Sequence, residues 1–351
     1  MRQVYFEKEP TDQRYTYAAG LVRCFENSLL DKNKIHRMSE ARDLQEVIRL
    51  LQDTPYGAYI SGNTQQYDFE QILTGRRKEV YEFFDKYCLD LPGYHFIHAP
   101  FDYLNLKLVL KSQIAGKKLK HLFNIFGSIK LDVFKKYFSF DQSEQEFQQT
   151  PLSDEETVLE KVIPDHLIKC SQQVLEYYYQ TKDPRYIDVI IDQHAYGYLD
   201  TLNDLLNSSF LSDLLQIEVD SINLTTYLRI QNIDLGELVN FIFLPGGRIS
   251  PEDWNRYLVK QDEELETILN EHQLEEYTGV VDKDLWEAEK IKDQLKVELL
   301  RQARFFTTGL ETLIGYVYTV EQEVKALRRI MIGKNNNVSK SKIIKGLSEV
   351  V

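Results

Sequence analysis

One helical phrase recurs three times along this chain, and it constrains the fold more than any other feature. Residues 105–111 read NLKLVLK, residues 223–229 read NLTTYLR, and residues 323–329 read EVKALRR. Each begins on a polar residue, passes through apolar positions and ends on a cation: Lys111, Arg229 and Arg329. The intervals are 118 and 100 residues in a chain of 351, one third of which is 117. The spacing implies a building block used three times, and a threefold body is a shape before it is an active site. A fainter echo, AAGLVRCF, places Arg23 after an apolar run near the start, which allows copies offset from the termini.

The block is helical. Only 9 prolines and 16 glycines punctuate the chain, good helix formers dominate between them, and no alternating strands bounded by two-residue turns occur. An all-α protein is expected. At this length the usual ceiling for one core is exceeded, and a hydrophobic share of 43% fills several. Cuts at thirds give helical modules at 1–118, 119–236 and 237–351, as first boundaries for copies that are offset or discontinuous.

The patterning predicts individual elements. Asp12 caps a first helix over 11–30, and Ser39 caps a second that carries Leu44, Val47, Ile48 and Leu51 and stops at Thr54-Pro55-Tyr56-Gly57. An amphipathic helix over 65–89 ends at Leu91-Pro92-Gly93, and the first repeated helix starts after Pro100 with Asp102. Residues 141–157 read as an exposed acidic connection. Pro164 opens a long helix, Asp183-Pro184 breaks it, and the second repeated helix spans about 217–233. Leu244-Pro245-Gly246-Gly247 is a firm turn, followed by Ser250-Pro251 at a helix start. Residues 260–276 read as a solvated acidic face, and 286–331 as nearly uninterrupted helix ended by Gly333 with Asn335-Asn336-Asn337.

Charge narrows the partners. With 55 acidic residues against 42 basic, the net charge of −13 repels phosphate backbones and anionic lipid as general partners, and steers a basic protein partner toward the surface. No stretch approaches the roughly 20 apolar residues of a membrane span, and MRQVYFEKEP lacks a signal peptide's apolar core. Cys24, Cys88 and Cys170 are scattered and odd in number, as expected of reduced cytosolic thiols.

Chemistry is scarce. His95 and His98 form an H-x-x-H, but between Pro92-Gly93 and Pro100 no helical register is expected to align them on a metal. Asp192 and His194, two apart on a helix, point to different faces. There is no C-x-x-C, no G-x-S-x-G elbow and no phosphate-binding glycine loop. Neither catalytic residues, a bound cofactor nor a metal is expected, and an enzyme is improbable.

The segment YVYTVEQEVKALRRIMIGKNNNVSKSKIIKGLSEVV carries a family likeness. It resembles the end of the C subunit of the archaeal and bacterial V/A-type ATPases, whose eukaryotic vacuolar equivalent is the d subunit (the AC39 family). There a helix with E-V-K-x-L-R-x-I precedes G-K, a short turn and a closing I-x-x-x-L helix. The matching positions are Glu323, Val324, Lys325, Leu327, Arg328, Ile330, Gly333, Lys334, Ile343 and Leu347. LLQDTPYGAYI (50–60), SLLDKNKIHRM (28–38) and LPGGRISPEDW (244–254) resemble further family segments, while 110–160 is only loosely matched.

The resemblance implies a funnel of three similar helical modules around a pseudo-threefold axis, with a central hollow. It implies a non-catalytic rotor subunit of the central stalk, one copy per complex, at the cytoplasmic face of the membrane. Its implied partners are the D and F subunits of the rotor shaft and the membrane ring of c/K proteolipids. Proton or sodium transport, and ATP synthesis or consumption, reside in other subunits. Lys111, Arg229 and Arg329 are then expected either to meet carboxylates on the shaft or to pair within a module. A cytosolic helical scaffold unrelated to a rotary ATPase is the alternative.

Overall fold

The computed structural model describes residues 12–60, 69–116, 123–138, 164–231, 233–260, 264–278 and 285–347. Among them all regular structure is helical, as expected. In chain order the α-helices are α1 Thr16–Glu26, α2 Lys32–Glu40, α3 Leu44–Leu51, α4 Phe69–Tyr87, α5 Leu91–Ile114, α6 Leu131–Phe138, α7 Asp165–Thr181, α8 Arg185–Leu206, α9 Ser209–Ile230, α10 Pro251–Lys260, α11 Leu265–Glu271, α12 Leu285–Ala303, α13 Leu310–Asn335 and α14 Lys340–Gly346. The chain forms two compact units. One takes Met1–Asp90, Ser208–Ile217 and Asp284–Val351; the other takes Leu91–Asn207 and Glu218–Lys283.

In the first unit α13 is the axis. Its buried residues, Leu313, Ile314, Val317, Val320, Val324, Leu327 and Ile330 among them, surround the helix, which therefore packs on several neighbours at once. Those neighbours are α1, α2, α3, α4, α12 and α14. Val47, Ile48 and Leu51 of α3 and Phe84 of α4 are buried in the same unit. In the second unit α5, α7 and α8 enclose Leu106, Leu167, Cys170, Val174, Ile187 and Ile190, all fully buried. A further cluster there holds Val219 and Tyr227 of α9 with Trp254, whose ring stacks on Phe243 at 5.7 Å.

Local signals set several helix starts, with Asp12 capping a 3-10 turn, Gln13–Tyr15, that runs into α1. The Asp12 carboxylate accepts from the Arg14 N–H at 3.0 Å, and Ser250 Oγ accepts from the Asp253 N–H ahead of Pro251. Lys182, at φ 56°, ends α7 before Pro184, where the sequence places the break. Several expectations are corrected. Ser39 is no cap: it lies buried inside α2, donating to His36 O, and Asp43 caps α3 by accepting from the Glu46 N–H. The 286–331 helix is broken between Ala303 and Leu310, at Gly309 with φ 114°. Helix α13 ends in the expected asparagine run, at Asn335 with Asn337 at φ 53°, whereas Gly333 lies inside the helix against Ile343, where a Cβ would come within 2.7 Å. The 260–276 run is not solvated throughout, since Leu265, Ile268 and Leu269 are buried. The second repeated helix begins eight residues earlier than expected, at Ser209.

The largest correction concerns Pro92 and Pro100. Both lie within one continuous helix, α5, which carries Pro92 in its first turn and Pro100 in its interior. Burial of Phe96, Ile97, Ala99 and Tyr103 on either side of Pro100 outweighs its missing N–H. Helical register therefore does govern His95 and His98. His98 Nδ1 bonds to Phe126 O at 2.6 Å, while the His95 ring meets Tyr198. The acidic connection at 141–157 lies outside the described residues.

Candidate functional site: three held loops and their cations

Helix α5 carries Asp102 and Asn105 three residues apart, hence on one face, and both are buried. Asn105 reads one backbone position twice. Its Oδ1 accepts from the Asn124 N–H at 2.8 Å, and its Nδ2 donates to Asn124 O at 2.9 Å. Asp102 Oδ2 accepts from the Ser128 N–H at 3.0 Å and the Ser128 hydroxyl at 2.6 Å, and its Oδ1 accepts from the Ile129 N–H. Burial pushes the Asp102 carboxyl upward, and these donors oppose that shift. Gly127 passes so close that a Cβ would lie 2.3 Å from Asp102 Oδ1. Asp102 is thus an anchor in mid-helix, not the first residue of the helix, as expected from its position after Pro100.

The same local arrangement recurs at α9. Asn223 Oδ1 accepts from the Leu244 N–H at 2.8 Å and its Nδ2 donates to Leu244 O at 2.9 Å. Asp220 Oδ1 accepts from the Arg248 N–H at 2.8 Å, and Gly247 leaves only 2.6 Å between that oxygen and a would-be Cβ. Burial lifts the Asp220 carboxyl to about 6.

A variant of it occurs in the first unit, at α13. The buried Glu323 accepts from the Leu30 N–H through Oε1 and from the Tyr56 hydroxyl at 3.0 Å through Oε2. Here the helix residue three before the anchor is Val320, which accepts nothing. The N–H that it leaves over, on Lys34, is taken by the loop's own Asp31 at 2.7 Å. In this loop Asn33 stands where the other loops have Gly127 and Gly247. The register is otherwise kept. Asn124, Leu244 and Leu30 are each followed five residues later by a buried isoleucine: Ile129, Ile249 and Ile35. Burial raises the Glu323 carboxyl to about 7.

The cations behave differently from one another. Lys111 meets Asp188 at 2.6 Å, and Lys107 meets Asp192 at 2.6 Å, both joining α5 to α8. Arg329 donates to Gly346 O at 2.8 Å and lies 3.5 Å from Asp293, a buried carboxylate that Lys325 also binds. Lys107 and Lys325 stand two residues beyond their anchors, where α9 has Thr225. Arg229 is exposed at the end of α9. His194 bonds to Gln173, a different neighbour from that of Asp192, as their spacing predicts.

What this arrangement does chemically is hold backbone. The anchoring carboxyls and carboxamides point at loop N–H groups, and among the described residues no group of histidine, cysteine and acidic side chains can hold a metal ion. The sequence reading passed over Asp102, Asn105, Asp220 and Asn223. The signal was present: D-x-x-N occurs at 102–105 and again 118 residues on, at 220–223. Among the described residues no helix is long and apolar enough to cross a membrane.

The comparisons with known proteins agree on one family. A family model described as "ATP synthase (C/AC39) subunit" matches residues 18–346. The C subunit of the V-type sodium ATPase of Enterococcus hirae is 24% identical over 344 residues, covering 94% of this chain and 97% of that one. The C subunit of the A-type ATP synthase of Methanocaldococcus jannaschii is 21% identical, over 94% of this chain and 85% of its own length, and its namesake from Desulfurococcus sp. is 20% identical over 96% and 91%. Since the family match spans nearly the whole chain and includes all three held loops, the chain belongs to the ATP synthase (C/AC39) subunit family.

Proposed function

We propose that this chain is a non-catalytic rotor subunit of a V/A-type ATPase. It forms a socket between the D and F shaft and the membrane ring of proteolipids, at the cytoplasmic face, one copy per complex. The observation that carries the reading is the family match over residues 18–346. A coupling part must transmit torque without yielding. Three helices that each clamp a loop through buried polar groups bonded to its backbone suit that task, because a buried donor stripped of its partner costs about 1–3 kcal/mol.

The proposed modules follow the held loops. Two comprise α5 with the loop at 124–129 and α9 with the loop at 244–249. The third comprises α13 with the loop at 30–35, so that the two ends of the chain complete one module. Around a pseudo-threefold axis, three such modules would enclose the hollow that receives the shaft. We assign Lys111 and Arg329 to holding their own units together, and Arg229, the exposed member, to shaft contact.

The test is co-purification of the tagged chain with shaft and ring. The reading expects both D/F and the proteolipid ring to come with it, and Arg229→Glu to weaken the shaft while leaving the ring. A chain that retains neither partner is a scaffold of another kind, and the reading fails.

A further inference from the structure

One part of this acidic protein is strongly basic. Residues 324–347 hold seven Lys and Arg and no Asp or Glu, while the whole chain carries −13. Four of the seven are engaged inward: Lys325 and Arg329 with Asp293, Arg328 with Glu70, and Lys334 with Ala41 O. The other three, Lys340, Lys342 and Lys345, are exposed on or at α14. Helix α2 packs beside α14, both rest on α13, and α2 adds exposed Lys32, Lys34 and Arg37. The acids of this neighbourhood have local work. Asp31 caps Lys34, Glu40 lies 3.5 Å from His36, Asp43 pairs with Arg42, and Glu46 receives the Arg42 N–H. Lys334 is pushed below the usual lysine range by burial and then by Lys340. Cations thus crowd this end of the unit. Apolar side chains are interspersed with them: Ile332, Val338 and Ile344 are 44%, 39% and 38% exposed.

We propose that the α2–α14 face docks on anionic phospholipid headgroups. The residue type decides between the two kinds of anionic partner. Lysine is depleted in protein–protein interfaces, where arginine and aromatic rings are favoured. Lysines set among exposed isoleucines and valine are the composition of an interfacial membrane contact, in which apolar tips enter the headgroup boundary and long cationic stems reach the phosphates. Five of the six exposed cations are lysines; the rings beside them are His36 on α2 and Trp286, over which Lys345 lies at 5.8 Å. The net acidity of the chain keeps its other faces off the same membrane, so the contact has an orientation. The proposal deepens the functional reading above and rests on it only for the nearness of a membrane.

Flotation of the isolated full-length chain with vesicles tests this. One set is pure phosphatidylcholine, and the other holds roughly one third phosphatidylglycerol. Binding is expected only to the anionic set, weakening as salt is added. Each neutralised lysine should cost about fivefold in partitioning, so Lys340→Gln/Lys342→Gln/Lys345→Gln should lose roughly 100-fold. Lys32→Gln/Lys34→Gln, on the other helix, should lose about 25-fold with the thermal melt unchanged. Equal binding to neutral vesicles, or triple and double variants that float like the parent, would overturn the proposal. Since the experiment contains neither shaft nor ring, its failure leaves the co-purification result standing.

Discussion

Replacing Asn223 by Ala removes a side chain that is fully buried and makes both of its bonds to one residue. The Leu244 N–H loses an acceptor at 2.8 Å and the Leu244 carbonyl loses a donor at 2.9 Å, in a place where Leu244 is only 4% exposed. Two orphaned buried groups at about 1–3 kcal/mol each give a destabilisation of about 2–6 kcal/mol. For a unit of this size that corresponds to a fall in Tm of roughly 5–15 °C. Trp254, buried in the same cluster, is the local reporter. Its fluorescence through a urea titration, in a Trp286→Phe background, follows this part of the chain alone. Asn223→Asp separates hydrogen bonding from packing. The carboxylate keeps the acceptor, loses the donor and places a second acid one turn from Asp220, whose carboxyl burial already lifts to about 6. Asn223→Asp should therefore be weak at pH 8 and recover toward pH 5, where a protonated carboxyl again donates. A loss below about 0.5 kcal/mol for Asn223→Ala, or a pH-independent Asn223→Asp, would refute the reasoning.

Gly127→Ala and Gly247→Ala should each cost about 1–3 kcal/mol in urea unfolding, because the new Cβ meets a buried carboxylate oxygen at 2.3 and 2.6 Å. Gly20→Ala in α1, with nothing within 4 Å of its Cβ position, should be neutral or stabilising by up to about 1 kcal/mol. Glu323 has a folded pKa of about 7 against 4.5 in the unfolded chain, so the folded state holds its proton more tightly. Its contribution is fully present below pH 4.5, is lost as pH rises toward 7, and stays lost above. Glu323→Gln should flatten that slope, worth roughly 3 kcal/mol, in stability measured from pH 4 to 8. Lys111→Gln, breaking a partly exposed pair, should cost less than about 1 kcal/mol by the same measurement. Lys325→Gln should cost about 1–3 kcal/mol, since it strips the nearer partner from buried Asp293.

What the sequence made legible was what local physics decides. Helical content, the Asp12 and Ser250 caps, the break at Pro184 and the turn at 244–247 each depend on residues within a few positions of one another. Two copies of the phrase, opening on Asn105 and Asn223, were legible and lie where α5 and α9 each hold a loop. What the anchors hold was not, because each anchor's partner lies 19 to 28 residues away in the second unit and 293 away at Glu323. Pro100 misled for a related reason: a proline ends an isolated helix, but burial on either side carried α5 through it. The asparagine run ended α13 as expected, but Gly333 took no part in the stop, since a glycine that ends a helix and one that admits Ile343 look alike in one dimension. Asp102 after Pro100 looked like a helix start, and only the loop arriving from 126–129 reveals it as an anchor. The cations were visible as the ends of the phrase, whereas their partners Asp188 and Asp293 had no mark in the sequence.

The central claim is that this chain couples a shaft to an ion-carrying ring. The direct measurement is ATP-driven ion uptake alongside ATP hydrolysis in vesicles carrying the complex, prepared with and without this chain. The account predicts that without it hydrolysis continues while uptake stops, and that adding the purified chain restores uptake. Uptake that proceeds undiminished in its absence would contradict the account.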